Sequence, residues 1–138
     1  MSLVEEQWKF MQDVEKLLGF IRSKGWVVTG GELWRPPVTQ EYYVKIGRSK
    51  TMKSMHLYRL AIDLNFFKPL SEDEYREKKA RGETGIVKVD GKYYQLTWSV
   101  KDIEPFGVYW ESLDPKNRWG GHFRTFKDVP HFERHIKV

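Results

Sequence analysis

The sequence predicts one α+β domain, and three observations carry that reading. A capping box opens an amphipathic segment near the N-terminus, an apolar run with polar residues at period two surrounds Asp63, and Asp90-Gly91 separates two strand-like tracts. The chain has 138 residues, a length that supports a single core burying roughly two thirds of the unfolded surface. No internal repeat, low-complexity stretch or linker divides it, so residues 1–138 read as one domain.

The elements follow in order. Ser2 with Glu5 matches the S-x-x-E capping box. Val4, Trp8, Met11, Val14, Leu17, Leu18 and Ile21 recur at spacings of three and four, which predicts a helix with one core stripe that ends at Lys24-Gly25. Residues 26–29 read as a short strand broken by Gly30-Gly31, and Pro36-Pro37 make the next segment extended or turned. Residues 40–53 show no clear period, and their polar, basic part (47–53) reads as a loop. Residues 61–67 predict a strand with Asp63 and Asn65 on one face and Ile62, Leu64 and Phe66 on the other. Ser71 with Glu74 starts a short polar helix to about Ala80, and Val87-Lys88-Val89 and Lys92-Tyr93-Tyr94 form a hairpin about Asp90-Gly91. Residues 103–113 predict another helix with Pro105 near its start. Arg118-Trp119-Gly120-Gly121 reads as a loop and the segment from Asp128 to Glu133 as extended.

Composition limits the chemistry. A formal net charge of +5 and a pI near 9.3 favour an anionic partner: nucleic acid, anionic lipid or a cell-wall polymer. The absence of cysteine excludes disulfides, Cys-based metal sites and thiol catalysis. No apolar run approaches the ~20 residues that span a bilayer, and the first residues lack a secretory signal pattern, so synthesis in the cytoplasm is expected.

Only four histidines occur: His56, His122, His131 and His135. Asp63 sits in an apolar strand, and a carboxylate there needs a partner, which is an arginine, backbone amides or a metal ion. Hydrolytic zinc sites keep three protein ligands and an open fourth position. His56, Asp63 and His131 would supply three, and Asp128, three residues before His131, would supply a proton acceptor for water. A rival reading makes His131 and His135 ligands on one helical face, against which Pro130 and the extended character of the segment argue. His122, after Gly-Gly, reads as a solvated or substrate-facing imidazole.

These residues resemble a known pattern. Ser54-Met55-His56-Leu57-Tyr58-Arg59-Leu60-Ala61-Ile62-Asp63 resembles the Ser-x-His-(x)6-Asp signature of zinc peptidases that cleave peptidoglycan, the D-alanyl-D-alanine carboxypeptidases and the L-alanyl-D-glutamate endopeptidases, phage endolysins included. Asp128-Val129-Pro130-His131-Phe132 resembles their second signature, Asp/Glu-x-x-His followed by an aromatic residue. The N-terminal helix, residues 28–35 and residues 109–121 extend the likeness to small single-domain endolysins. The resemblance implies a central, mostly antiparallel sheet flanked by helices, as in hedgehog and D-Ala-D-Ala peptidases. It also implies Zn²⁺ held by His56, Asp63 and His131, with Asp128 as catalytic base.

By the same resemblance Arg35 stands near the substrate, polarising a carbonyl or holding a carboxylate; a structural arginine at the Pro36-Pro37 turn is the plain alternative. Ser54 matches the leading serine, whose expected work is to orient the metal site by hydrogen bonding. Arg59 departs from the pattern, which often has glycine there. The resemblance further implies, through the aspartate base and compact layout that family endopeptidases more often have, cleavage of the L-alanyl-D-glutamate bond of the stem peptide by a monomeric endolysin released to the wall by a holin.

Other readings rest on the surface. Tyr42, Tyr43, Tyr93, Tyr94 and Trp119 are candidates to line a cleft, and basic residues recur at Lys45, Arg48, Lys50, Lys53, Arg124, Lys127, Arg134 and Lys137. No nucleic-acid motif accompanies them, so nucleic acid is not the expected partner. A D-alanyl-D-alanine carboxypeptidase with the same site, or a non-catalytic basic module for nucleic acid or cell wall, are the alternatives.

Overall fold

The computed structural model describes residues 1–49 and 54–137. Lys50 and Lys53 of the basic tract lie outside the described residues. The elements run α1 (Leu3–Ser23), β1 (Val27–Gly30), α2 (Pro37–Lys45), a 3-10 turn (Met55–Tyr58), β2 (Ala61–Leu70), α3 (Glu72–Ala80), β3 (Ile86–Val89), β4 (Lys92–Thr97), α4 (Val100–Leu113), β5 (Asn117–Trp119), a second 3-10 turn (Gly120–His122) and β6 (His131–Arg134). This is the predicted α+β class, with an antiparallel six-stranded sheet.

The ten-residue β2 is the hub. The strand order is β3-β4-β2-β6-β5, and β1 pairs with β2 outside that path. Asp63 exchanges backbone hydrogen bonds with Gly31 and Glu32 (2.8 and 2.9 Å), while the neighbouring Leu64 N–H donates to Pro130 on the other edge (2.9 Å). In a pleated strand successive side chains point to opposite faces. Leu64 and Phe66 therefore enter the core, and Asp63 points away from it. Phe66 lies 5.4 Å from Phe106 of α4, Phe10 of α1 meets Trp110 edge-on at 5.7 Å, and Trp110 meets Phe132 of β6 at 6.1 Å. Each such side chain, fully buried, contributes roughly 1.5–3 kcal/mol.

Both capping boxes form as the sequence predicts, at Ser2/Glu5 and Ser71/Glu74. The core stripe of α1 forms only in its second half, where Val14, Leu17 and Ile21 are buried. Val4, Trp8 and Met11 are 72%, 63% and 48% exposed, and the buried face is Glu6, Phe10, Asp13, Val14, Leu17 and Ile21. Two acids on that face hid it from a hydrophobic pattern, yet both have partners. Glu6 accepts from buried Arg134 (2.8 Å) and from Lys116 (2.9 Å), and Asp13 accepts from Asn117 (3.0 Å). Arg134, counted above with the basic surface, is thus an interior cation, paired also with Asp114 at 3.0 Å. Helix α2 replaces the turned segment expected after Pro36, which caps it with extended backbone while Pro37 takes the first helical position. Helix α4 starts at Val100, capped by Ser99, three residues before the expected start.

Arg59, where related sequences often have glycine, adopts the left-handed region (φ 56°, ψ 39°) as the cap of the first 3-10 turn. Its guanidinium lies 5.0 Å from the Trp34 ring centroid. The strain of a side chain in this conformation is offset by a cation–π contact.

Two predictions follow from these contacts. Glu6→Ala strips Arg134 of one of its two carboxylates and should cost about 2–3 kcal/mol in urea unfolding, below the full penalty of a broken buried pair because Asp114 remains. Burial alone would raise the Glu6 carboxyl, but Lys116 and Arg134 hold it below its ordinary 4.5, and Asp114 is lowered by its own contacts. Their contribution is therefore complete above about pH 4.5 and lost as pH falls through the lowered values, so Glu6→Gln should flatten the acid limb of the stability curve. At the 3-10 turn, Arg59→Gly should lie within about 0.5 kcal/mol of the parent. Arg59→Ala, which keeps the strain and loses the stacking, should be about 0.5–1 kcal/mol less stable.

Candidate active site

Strand pairing builds the centre. Asp63 of β2 stands directly opposite His131 of β6. His56 arrives on the 3-10 turn, whose cap Ser54 accepts the His56 backbone N–H (3.3 Å), while the His56 carbonyl accepts from Arg35 N–H (3.2 Å). Ser54 thus acts by holding the turn that carries His56. The result is convergence: His56 Nε2 lies 3.2 Å and His131 Nδ1 3.4 Å from the same Asp63 oxygen. The three candidate ligand atoms all lie within 4.8 Å of one another.

The remote nitrogen of each imidazole is occupied. His56 Nδ1 donates to the Leu33 carbonyl (2.8 Å), and His131 Nε2 donates to Glu133 (2.7 Å). In its neutral form each ring therefore turns a lone pair toward Asp63. Two lone pairs and a carboxylate facing one another repel unless a proton or a metal cation lies among them. Two imidazole nitrogens and one carboxylate oxygen suit zinc, with room for further ligands. Burial opposes a charge on His131, but Asp63 and Glu133 outweigh it and carry the imidazole up to about 9. Asp63 would be raised by burial, yet His131 and His56 hold it well below the usual carboxylate range.

Asp128 sits at the rim, its carboxylate 4.0 Å from His131 Nδ1. Burial, reinforced by the Asp63 charge, raises its carboxyl above the ordinary value against the pull of His131, His56 and Arg35. Backbone contacts fix its place: Asp128 N–H donates to Gly120, and its carbonyl accepts from His131 N–H. Gly120 is required there, since a Cβ would stand 2.0 Å from the Asp128 carbonyl oxygen. Trp119 Nε1 donates to Val129 (2.8 Å) and ties the same segment to the core.

Arg35 is buried, and it does not cap the proline turn. Its Nε pairs with Glu32 and its Nη1 with Gln40 (2.5 Å), which leaves one guanidinium nitrogen without a hydrogen-bond partner among the described residues. Glu32, unassigned from sequence, anchors it. His56, Asp63, Asp128, His131, Arg35 and Glu32 line one cleft of about 1180 Å³.

The aromatic predictions divide. Tyr43 and Trp119 line the cleft, but Tyr93 stacks on Tyr75 at 3.6 Å, Tyr94 is buried, and Tyr42 does not line it. His122 lines it too, bound to Glu111 at 2.7 Å. His135 follows a strand, which removes the helical His131/His135 pairing, and its Nδ1 instead meets Glu133 at 3.0 Å. Glu133 is the residue that sequence reasoning missed. Its signal was present: in an extended segment, residues 131 and 133 share a face.

With this geometry the comparisons with known proteins can be read. Residues 47–134 match the family model described as D-alanyl-D-alanine carboxypeptidase, a span holding both signatures and most of the chain. The chain belongs to this family. A search of curated proteins gives no match. Among solved structures the fold resembles the Serratia marcescens L-Ala D-Glu endopeptidase ChiX, at TM-score 0.51 and 21% identity over 78% of this chain. The match covers 66% of the ChiX chain, just under two thirds of its length.

The second hydrogen bond to His131 gives a test. Glu133→Ala should weaken zinc binding about 10- to 100-fold in a chelator competition, because the ring loses the acceptor that fixes its tautomer, and should cost about 1–3 kcal/mol in unfolding of the metal-free protein, because a buried donor is left unpaired.

Proposed function

We propose that the protein is a zinc-dependent peptidoglycan peptidase that cuts the L-alanyl-D-glutamate bond of stem peptides, working as a phage endolysin. The observation that carries this reading is the meeting of His56, Asp63 and His131 beside Asp128 at the floor of a wide cleft. Zinc, when bound, supplies Lewis acidity toward a carbonyl and makes water a better acid. His56, Asp63 and His131 hold the ion. Asp128, buried enough to be raised yet open to the cleft, accepts the proton of the attacking water and returns it to the departing nitrogen. The unpartnered nitrogen of Arg35 donates to the carbonyl oxygen as it gains negative charge, and Glu32 and Gln40 keep that fork fixed.

The preference for an internal bond rests on the resemblance of the Asp128 signature to the endopeptidases, in which the base is more often aspartate. The family description favours the second reading, a D-alanyl-D-alanine carboxypeptidase with the same centre. No helix among the described residues is long and apolar enough to cross a membrane. Release to the wall by a holin belongs to the endolysin reading.

Zinc-loaded protein on purified peptidoglycan should release fragments with new N-terminal glutamate, read by mass spectrometry; free alanine as the product would select the second reading. Asp128→Ala should retain stoichiometric zinc and lose about 10²- to 10⁴-fold in kcat. Undiminished turnover in that variant would remove Asp128 as the base.

A further inference from the structure

The cleft carries cations besides Arg35, and Arg48 is the one held in place on an aromatic ring with no carboxylate partner among the described residues. Arg48 lines it on the side of α2, and its guanidinium lies 5.1 Å from the Tyr43 ring centroid, with Arg35 over the same ring at 4.7 Å. The segment that presents Arg48 is held in place. Its own N–H and that of Ser49 both donate to the Tyr43 carbonyl (2.9 and 3.1 Å), after a turn in which Gly47 takes φ +79°. The Tyr43 hydroxyl in turn reaches Glu32 (3.4 Å). Among the described residues no carboxylate pairs with Arg48.

The other cations of the cleft are committed or less fixed. Arg118 faces Glu133 at 3.9 Å, and Lys127 donates to the Gly121 carbonyl at 3.1 Å. Among the described residues neither an aromatic ring nor a carboxylate holds Arg124. Stacking engages the face of a guanidinium and leaves its edge, a fork of N–H donors, for a planar anion. A carboxylate takes that fork with two parallel charge-assisted hydrogen bonds, whereas a carboxamide offers one neutral acceptor.

We infer that Arg48 is a specificity-determining residue that pairs with a free carboxylate of the substrate, the one on the D-glutamyl residue of the stem peptide, and so selects against peptides amidated there. The inference rests on the proposed L-alanyl-D-glutamate activity. Arg48 takes no part in the bond-breaking step and acts on substrate capture.

The test uses the zinc-loaded full chain and two synthetic stem peptides that differ only in a carboxyl or a carboxamide on the D-glutamyl residue. The parent should favour the carboxylate by about 10- to 100-fold in kcat/KM, the size expected of a charge-assisted pair. In Arg48→Gln the ratio should fall to near one, chiefly through KM for the carboxylate peptide, and Arg48→Lys, which keeps charge without the fork, should be intermediate. Equal kcat/KM for the two peptides in the parent, or full discrimination in Arg48→Gln, overturns the assignment of Arg48 while leaving the activity intact. Cleavage of neither peptide by the parent overturns the activity and the inference with it.

Discussion

Two imidazole nitrogens aimed at one carboxylate across little more than 3 Å form an arrangement that a proton or a metal cation relieves. Its persistence depends on acceptors behind each ring. The Leu33 carbonyl fixes His56 and the Glu133 carboxylate fixes His131, so the rings cannot turn their donors inward without losing a hydrogen bond in a buried place. The difference between the acceptors matters. A carbonyl is a fixed dipole, while Glu133 is an anion that also faces His135 and Arg118, so the His131 side carries most of the electrostatic tuning.

The sheet makes this geometry cheap to maintain. β2 places Leu64 and Phe66 in the core and Asp63 on the opposite face, so the same strand that anchors the hydrophobic interior also aims the candidate ligand. β6 repeats the device, with Phe132 in the core between His131 and Glu133. Arg134, the last residue of β6, is then drawn into the α1 contact by Glu6 and into the end of α4 by Asp114. Burying those charges is costly unless all are paired. The strand bearing two groups of the site is thereby locked to both core helices.

Much of this was legible in the sequence. Caps, the hairpin and the β2 alternation are local signals, and each appears where the residues place it. The candidate ligands His56, Asp63 and His131 and the acid Asp128 were legible through two signatures that resemble a known family, although spacing alone could not bring His56 and His131 together; that takes the β2–β6 pairing. What stayed hidden was hidden for physical reasons. The inner face of α1 contains Glu6 and Asp13, which a hydrophobic pattern assigns to solvent until Arg134 and Asn117 are known to neutralise or satisfy them. Helix α2 buries only Gln40, so no apolar stripe announces it. β5 is three residues long and owes its existence to β6 rather than to its own propensity. Arg35 could be placed near the substrate by resemblance, but the Glu32 and Gln40 contacts that fix its orientation come from the surrounding loop and α2.

Arg59 shows how a departure from a family pattern can be absorbed without moving the site. The turn after His56 must reverse the chain within a few residues, and the left-handed conformation does this whether or not a Cβ is present. Glycine meets the requirement by lacking the Cβ, and arginine meets it by stacking its guanidinium on Trp34. Trp34 is adjacent in sequence to Leu33, whose carbonyl fixes His56. The stacking therefore does more than offset strain. It fastens the exit of the 3-10 turn to the segment that orients its histidine, so arginine adds a tie across the His56 side of the cleft where glycine would leave none.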